Sequence, residues 1–422
     1  LKVVYKEQKE LLLMGGAYGH MSHPFDDKEL TFKDLKNIIT MGLGGTLSRE
    51  DNVTEKTDGQ NLMISWKNGK LISARNKGHI KNKGETALSI KGIESKFKGR
   101  GDIRNAFVYA VRDLSKAISA LSDKQKTKIF GEGSKWMSLE VMWPASENVV
   151  NYDITELMFH GTLEYDDSAR VIGQAKDSAR ILAGMIKQVN QNIQKHYKIK
   201  KPHFMDVPKH QDFGKLKGKF LGKLKKLQSQ YALKDNDTLA LYHQMYWQEW
   251  IFNGSKQTDY PKITNEILVK LTKRWAFFDK SYKISQIKKD LKEYPKFLDW
   301  VLSTDKQDHS RMVKQNMKPF EELFFEVGAT ILKNMDGWMA VNPAKSVQNM
   351  RKKLQSAIKD IRSGGDIKKL NKLKIQLDRL NAIGGLDAVV PTEGIVFKYN
   401  GNVYKFTGAF APINQITGMM TF

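Results

Sequence analysis

The chain has 422 residues, with 70 Lys+Arg against 46 Asp+Glu, a formal net charge of +24 and no cysteine. At 40% apolar and 10% aromatic residues it is no disordered polycation, and its length supports two or three domains with a real core. Lack of cysteine excludes disulfide-linked partners, thiolate zinc sites, Fe–S clusters and cysteine nucleophiles. No apolar run reaches the roughly 18 residues of a membrane span and no signal-peptide pattern opens the chain, so the expectation is a cytoplasmic protein with no membrane partner. The charge points to a polyanion, most simply nucleic acid.

In chain order, residues 19–27 pack His20, His23, Asp26 and Asp27 into a short loop. These are metal-ligand types, but His-x-x-His in a proline-containing loop is more often structural. Asp26 and Asp27 are expected to open a helix through DKELTFKDLKNII (27–39). Residues 51–165 read as short strands: QNLMISW (60–66), LISAR (71–75), WMSLEVMW (136–143) and ELMFHGTL (156–163), with a helix near 103–122. Lys56-Thr57-Asp58-Gly59 stands at a strand entrance, where a lysine on a tight turn can act as a reactive amine. Asn68–Gly69 predicts a two-residue hairpin in which Lys67 faces Lys70, Ser65 faces Ile72 and Arg75 faces Leu62. That pairing returns Arg75 toward the end carrying Lys56, where a cation would lower the amine pKa and hold a phosphate or ribose.

From 166 to about 383 the periodicity is helical: 179–194, 265–278, 320–335, 346–361 and 370–380, punctuated by prolines including Pro319 and by Gly364–Gly365. Residues 170–387 hold 43 Lys+Arg against 22 Asp+Glu, nearly the whole excess charge. Within them, 195–226 interleaves Lys195, Lys198, Lys200, Lys201, Lys215, Lys217, Lys219, Lys223, Lys225 and Lys226 with Tyr197, His203, Phe204, Phe213 and Phe220. Lysines neutralise phosphates and aromatic faces stack unpaired bases, so these lysines are the expected nucleic-acid contacts. LYHQMYWQEWIF (241–252) reads instead as helix core. A second Asn-Gly hairpin closes the pattern over 393–408. Pairing Tyr399 with Asn402 sets Lys398 opposite Val403 and Val396 opposite Lys405, so the two lysines share a face as if an anion lay over them. Glu393 needs an irregularity at Gly394 to join them.

In this order the residues resemble the covalent nucleotidyltransferases: ATP-dependent DNA ligases, RNA ligases and mRNA-capping enzymes. Lys56-Thr57-Asp58-Gly59 resembles their KxDG motif, Arg75 the next motif's arginine, and Glu140 the third motif's glutamate. Phe159-His160-Gly161 resembles the aromatic strand, Glu393 through Lys398 the EGxVxK motif, and Lys405 the start of the last one. The resemblance covers about 150 residues. It implies that Lys56 attacks the α-phosphate of ATP to form a lysyl–AMP and pyrophosphate, with Mg2+ (or Mn2+). Arg75 would bind ribose or phosphate, Glu140 ribose or metal, and Glu393 metal. Lys398 and Lys405 would neutralise the phosphate, Asp58 would orient the lysine or serve the later joining step, and Phe159 would stack on the base. Four features depart from the pattern: Leu139 stands where a small residue is usual, Thr407 where a second lysine is usual, no C-terminal OB-fold follows Lys405, and 393 lies far from 159.

The expected fold class is α+β: a ligase-type nucleotidyltransferase domain of antiparallel sheets and helices (1–165 and 389–422), interrupted by a basic all-helical insertion (166–388) whose outer helices can pack on the core domain. The expected function is ATP-dependent polynucleotide ligation, RNA favoured over DNA, joining 5′-phosphate and 3′-OH ends. The alternatives are an inactive nucleic-acid-binding protein of the same fold, or a DNA ligase or GTP-using capping-type enzyme.

Overall fold

A computed structural model of the chain describes residues 21–144, 148–193, 196–306 and 309–419. It is α+β, 56% helical and 15% strand. The chain divides into two compact units. One is helical and comprises residues 22–46 and 208–327; the other is mixed and comprises 47–207 and 328–419.

In the helical unit, the first long helix, Phe32–Gly44, is cut by its caps. Thr31 accepts from the Asp34 N–H while the Asp34 carboxylate accepts from the Thr31 N–H, a reciprocal capping box, and Gly45 ends the helix at φ 71°. The start expected at Asp26 is therefore displaced to Thr31, because Pro24–Asp26 forms a separate 3-10 turn. His23 is bound into that turn, 3.2 Å from Asp26 and stacked on Phe25, while His20 lies outside the described residues. Residues 241–252 fall in helix Leu239–Lys256, whose Tyr242, Trp247 and Ile251 are buried. Trp247 packs with Trp275, and Arg274 forks onto Asp305 through two hydrogen bonds of 2.7 Å. Pro319 does not end its helix, which runs from His309 to Lys333.

The mixed unit holds β1 (Thr54–Lys56), β2 (Gln60–Lys67), β3 (Lys70–Ala74), β4 (Lys135–Met142), β5 (Glu156–Tyr165), β6 (Val171–Gln174), β7 (Lys198–Lys200), β8 (Gly394–Tyr399) and β9 (Asn402–Phe406). They form a three-stranded antiparallel sheet, β1-β8-β9, and a larger one, β3-β2-β4-β5-β6, with β7 added parallel to β5. Both Asn-Gly hairpins form. Asn68 and Gly69 (φ 51° and 71°) and Asn400 and Gly401 (φ 50° and 76°) take the left-handed angles that a two-residue turn demands. Their registers place Lys67 opposite Lys70, Ser65 opposite Ile72, Lys398 opposite Val403 and Val396 opposite Lys405. Leu62, Ile64, Leu139 and Val141 turn one face of the larger sheet into a core shared with Phe107, Val111 and Leu114 of helix Gly101–Ser119 and Leu182 and Val189 of helix Lys176–Asn192.

The bounds expected at 166 and 388 fall inside the mixed unit. Helix Lys176–Asn192 and β7 close the core of the larger sheet, and helices Pro343–Ser363 and Ile367–Ala382 share a core with Met142, Val150, Tyr152 and Phe410. Residues 166–388 are also not all helical, since β6 and β7 lie within them. The charge moves with the boundary: residues 47–207 and 328–422 hold 41 Lys+Arg against 25 Asp+Glu, whereas 22–46 and 208–327 hold 26 against 19. Among the described residues no helix is long and apolar enough to cross a membrane.

Candidate functional site

β1 is three residues long, and its register organises the site. Lys56 lies opposite Gly394 and Thr54 opposite Val396. Opposed residues share a face and alternate residues return to it, so Lys56, Lys398 and Lys405 stand on one face of the small sheet. Ile395, Phe397, Tyr404 and Phe406 fill the core on the other. Gly394 has φ 153°, and a Cβ there would lie 1.9 Å from the Phe406 carbonyl oxygen, so only glycine fits. Across this glycine Glu393 reaches the lysine, with Lys56 Nζ 2.6 Å from Glu393 Oε2.

Glu140 enters from β4 and is held by the strand entrance itself. The Gly59 N–H donates to Oε1 at 2.6 Å, the Thr57 hydroxyl donates to Oε2 at 2.5 Å, and His160 Nε2 lies 3.0 Å from Oε2. A Cβ at Gly59 would meet Glu140 Cγ at 2.4 Å and Met142 Sδ at 2.7 Å, so this glycine supplies room for the glutamate rather than a special φ. Asp58 Oδ2 accepts from the Val150 N–H at 2.7 Å, and Asn148 Nδ2 donates to the Asp58 carbonyl at 2.5 Å. The Thr392 hydroxyl donates to the Lys56 carbonyl at 3.1 Å, tying β1 to the segment before β8. Three carboxylates, two of them far from it in sequence, thus act on Lys56.

Their electrostatics are those of a cation among acids. Burial disfavours the Lys56 ammonium, but the Glu393, Glu140 and Asp58 carboxylates outweigh it and hold the amine above its ordinary pKa. Asp58 is pushed up to about 7 by burial and by Glu393 and Glu140, against the Val150 N–H and Lys56. Burial would raise Glu140, yet His160, Lys56 and Thr57 hold it below the usual carboxylate range. Glu55, facing the opposite side of β1, is pushed up to about 7 by burial, opposed by a hydrogen bond from the Met339 N–H (2.7 Å).

Two expected members lie elsewhere. Arg75 sets its guanidinium 4.5 Å from the Phe107 ring and 5.9 Å from Phe97, and donates to the Asn61 carbonyl. Those rings belong to the core on the Leu62 and Leu139 face, whereas Glu140 leaves the opposite face. The depressed lysine pKa expected from a neighbouring arginine is therefore absent; the Lys56 pKa is raised. Phe159, 6% exposed, packs in that same core rather than beside Glu140. A bulge between Ser138 and Leu139 shifts the β4–β5 register there, and His160 is the residue that reaches Glu140.

Lys398 is paired with Asp51 at 2.5 Å near the surface, and Thr407 is buried. Among the described residues no group of three or more His, Cys, Asp or Glu side chains is arranged to hold a metal. Both Glu140 oxygens accept protein hydrogen bonds and Glu393 Oε2 faces the Lys56 ammonium, so a divalent ion held by Glu140 and Glu393 would share these oxygens with their present partners.

The lysines expected to meet nucleic acid fall in both units. Lys198, Lys200 and Lys201 are exposed in the mixed unit, and Lys195 lies outside the described residues. Lys215, Lys217, Lys219, Lys223, Lys225 and Lys226 line helix Phe213–Gln230 in the helical unit, where Lys219 and Lys223 both grip Glu326. Tyr197 and Phe220 of the same segment are core, and Phe204 is exposed. Neither motif nor periodicity marks Thr392 and Asn148; only their hydrogen bonds across distant segments reveal them. No known family, curated protein or solved structure matches this chain.

Proposed function

We propose that the mixed unit is a covalent nucleotidyltransferase and that the protein joins polynucleotide ends, RNA favoured, at the expense of ATP. The observation that carries this reading is the meeting of Lys56 with Glu393, Glu140 and Asp58 on a face that also bears Lys398 and Lys405. An amine nucleophile needs a base within reach and cations for the phosphate it attacks. Lys56 Nζ passes a proton to Glu393 Oε2, at 2.6 Å. The neutral amine then forms a P–N bond to the α-phosphorus as the bond to the β-phosphate oxygen breaks, pyrophosphate leaves with that bond's electron pair, and the nitrogen sheds its second proton to water. Lys398 and Lys405 balance the phosphate charge. In the joining steps AMP passes to a 5′-phosphate, and a 3′-OH displaces it.

Glu140 acts as a brace in this reading, fixing the turn at Thr57 and Gly59 so that Lys56 points at Glu393. Glu140 and Glu393 would hold a divalent ion in this reading, which would offset charge on the triphosphate, and no step is routed through it. A second reading, a nucleic-acid-binding unit without the chemistry, draws on the same acids, since they favour the unreactive ammonium. Incubation with α-labelled ATP separates the two. The expected result is an acid-labile label on wild type that is absent from Lys56→Ala; an unlabelled wild type, or a labelled Lys56→Ala, refutes the nucleophile assignment.

A further inference from the structure

The segment after β7 forms an unnamed edge strand on β1. The Glu55 N–H donates to the His203 carbonyl at 2.8 Å, the Met205 N–H donates to the Val53 carbonyl at 2.9 Å, and Thr54 lies directly opposite Phe204. In such a pair the two side chains share a face. Phe204 therefore stands on the face that carries Lys56, as its diagonal neighbour at about 7–8 Å between Cα atoms. It is 61% exposed, whereas Tyr197 and Phe220 of the same lysine-rich segment are 2% and 0% exposed. A ring left in water beside a buried charge cluster is not serving the core.

Its surroundings are basic. Lys200 lies opposite Met158, which lies opposite Glu140, so Lys200 emerges on the Glu140 face two strands across the larger sheet. Lys200, Lys201, Pro202, His203, Phe204, Glu156 and Met339 line a cleft of about 540 Å³. Glu156 is its one acid, half-buried and 3.7 Å from the exposed Lys200, so it offsets one of the two lysines and leaves Lys201 as the cleft's excess charge. The backbone from Lys200 to Phe204 thus runs from the Glu140 face of one sheet to the Lys56 face of the other.

We infer that Phe204 is a stacking platform for an unpaired base at the end of a polynucleotide, whose phosphates are taken by Lys200 and Lys201 as the strand approaches Lys56. This rests on the proposed chemistry at Lys56 and names what that site holds. A row of lysines ending on an exposed ring is the arrangement by which single strands are bound without sequence preference. A duplex stacks every base except the outer face of its terminal pairs, so it offers the ring no splayed single base.

Fluorescence anisotropy on the whole chain, without ATP, tests this with a 5′-phosphorylated RNA of roughly 12 nucleotides, single-stranded or in blunt duplex. Phe204→Ala is expected to weaken single-strand binding roughly 5- to 100-fold, and Phe204→Trp to restore it. The Ala variant should leave the salt slope unchanged, while Lys200→Ala with Lys201→Ala lowers it by about 0.7 for each phosphate left without its lysine. Single-strand affinity unchanged in Phe204→Ala, or an equal loss for the duplex, overturns the platform. A loss confined to ATP labelling, with RNA binding kept, assigns the ring to the free nucleotide and also overturns it. Lysine labelling of wild type needs no RNA, so failure of the platform and failure of the Lys56 chemistry are told apart.

Discussion

Replacing Glu393 by Gln should make Lys56 chemically more reactive and enzymatically less so. The Glu393 carboxylate touches the ammonium at 2.6 Å and is the nearest of three acids that raise its pKa. A hydrogen bond between charged groups is worth about 1.5–3 kcal/mol, and removing it shifts the ammonium–amine balance by that amount. At a fixed pH below the lysine pKa this is roughly 10- to 100-fold more free amine. Lys56 keeps about a fifth of its side-chain surface exposed (21%), enough for a small acylating reagent to reach it. Trace labelling with acetic anhydride at pH 8, with the Lys56 peptide quantified by mass spectrometry against exposed lysines, reads the change directly. ATP labelling should fall in the same variant, because the proton acceptor is gone. Equal or slower acetylation of Lys56 in Glu393→Gln would refute the account of what holds the lysine protonated.

Glu55 has a folded pKa raised to about 7. The folded state then binds more protons than the unfolded one between about pH 4.5 and 7, so its stabilising effect is complete below that window and lost as pH rises through it. Glu55→Gln should remove this loss, making the variant more stable than wild type at pH 8 relative to pH 5 by about 3 kcal/mol in denaturant melts; an identical pH dependence in both proteins contradicts it. Gly394→Ala meets the Phe406 carbonyl at 1.9 Å and should cost about 3 kcal/mol or more and abolish ATP labelling; a stable, labelled variant would show that the strand can shift. Asp305→Ala leaves the buried Arg274 guanidinium without its fork and should cost about 3–5 kcal/mol in the helical unit; a loss below about 1 kcal/mol would mean that water and the Tyr282 carbonyl, which already accepts from Arg274 at 2.9 Å, suffice in its place.

What the chain disclosed in advance was local. Asn68–Gly69 and Asn400–Gly401 dictate their own backbone angles, and the hairpin registers follow from two residues each. The Lys56–Gly59 turn and the Glu393–Gly394 step were visible as short motifs. The rest depended on which face of a sheet a neighbour covers. Arg75 and Phe159 look like site residues in one dimension, but both turn to the face that helix Gly101–Ser119 covers, where Phe159 is core and the half-buried Arg75 lies against Phe107. His160 gains its place from a one-residue bulge that no periodicity displays. The unit boundaries were illegible for a similar reason. Helices 176–192 and 343–382 have the same 3.6-residue period as those of the helical unit, and only the sheet surfaces they cover assign them to the other. With that reassignment most of the basic excess accompanies the lysine cluster instead of lying apart from it.

The shortness of β1 has a consequence for how the molecule comes into being. Its one in-sheet neighbour among the named strands is β8, and the Thr392 hydroxyl that clasps the Lys56 carbonyl is 336 residues further along the chain. Contacts of such span close late, after the local helices and hairpins. During synthesis the larger sheet can assemble while Lys56 still lacks Glu393 and the two lysines of the final hairpin. The proposed nucleophile therefore stays unequipped until β8 and β9 emerge, and a chain interrupted after Lys201 but before Glu393 would carry the Lys200 and Lys201 pair without the acid that belongs beside Lys56.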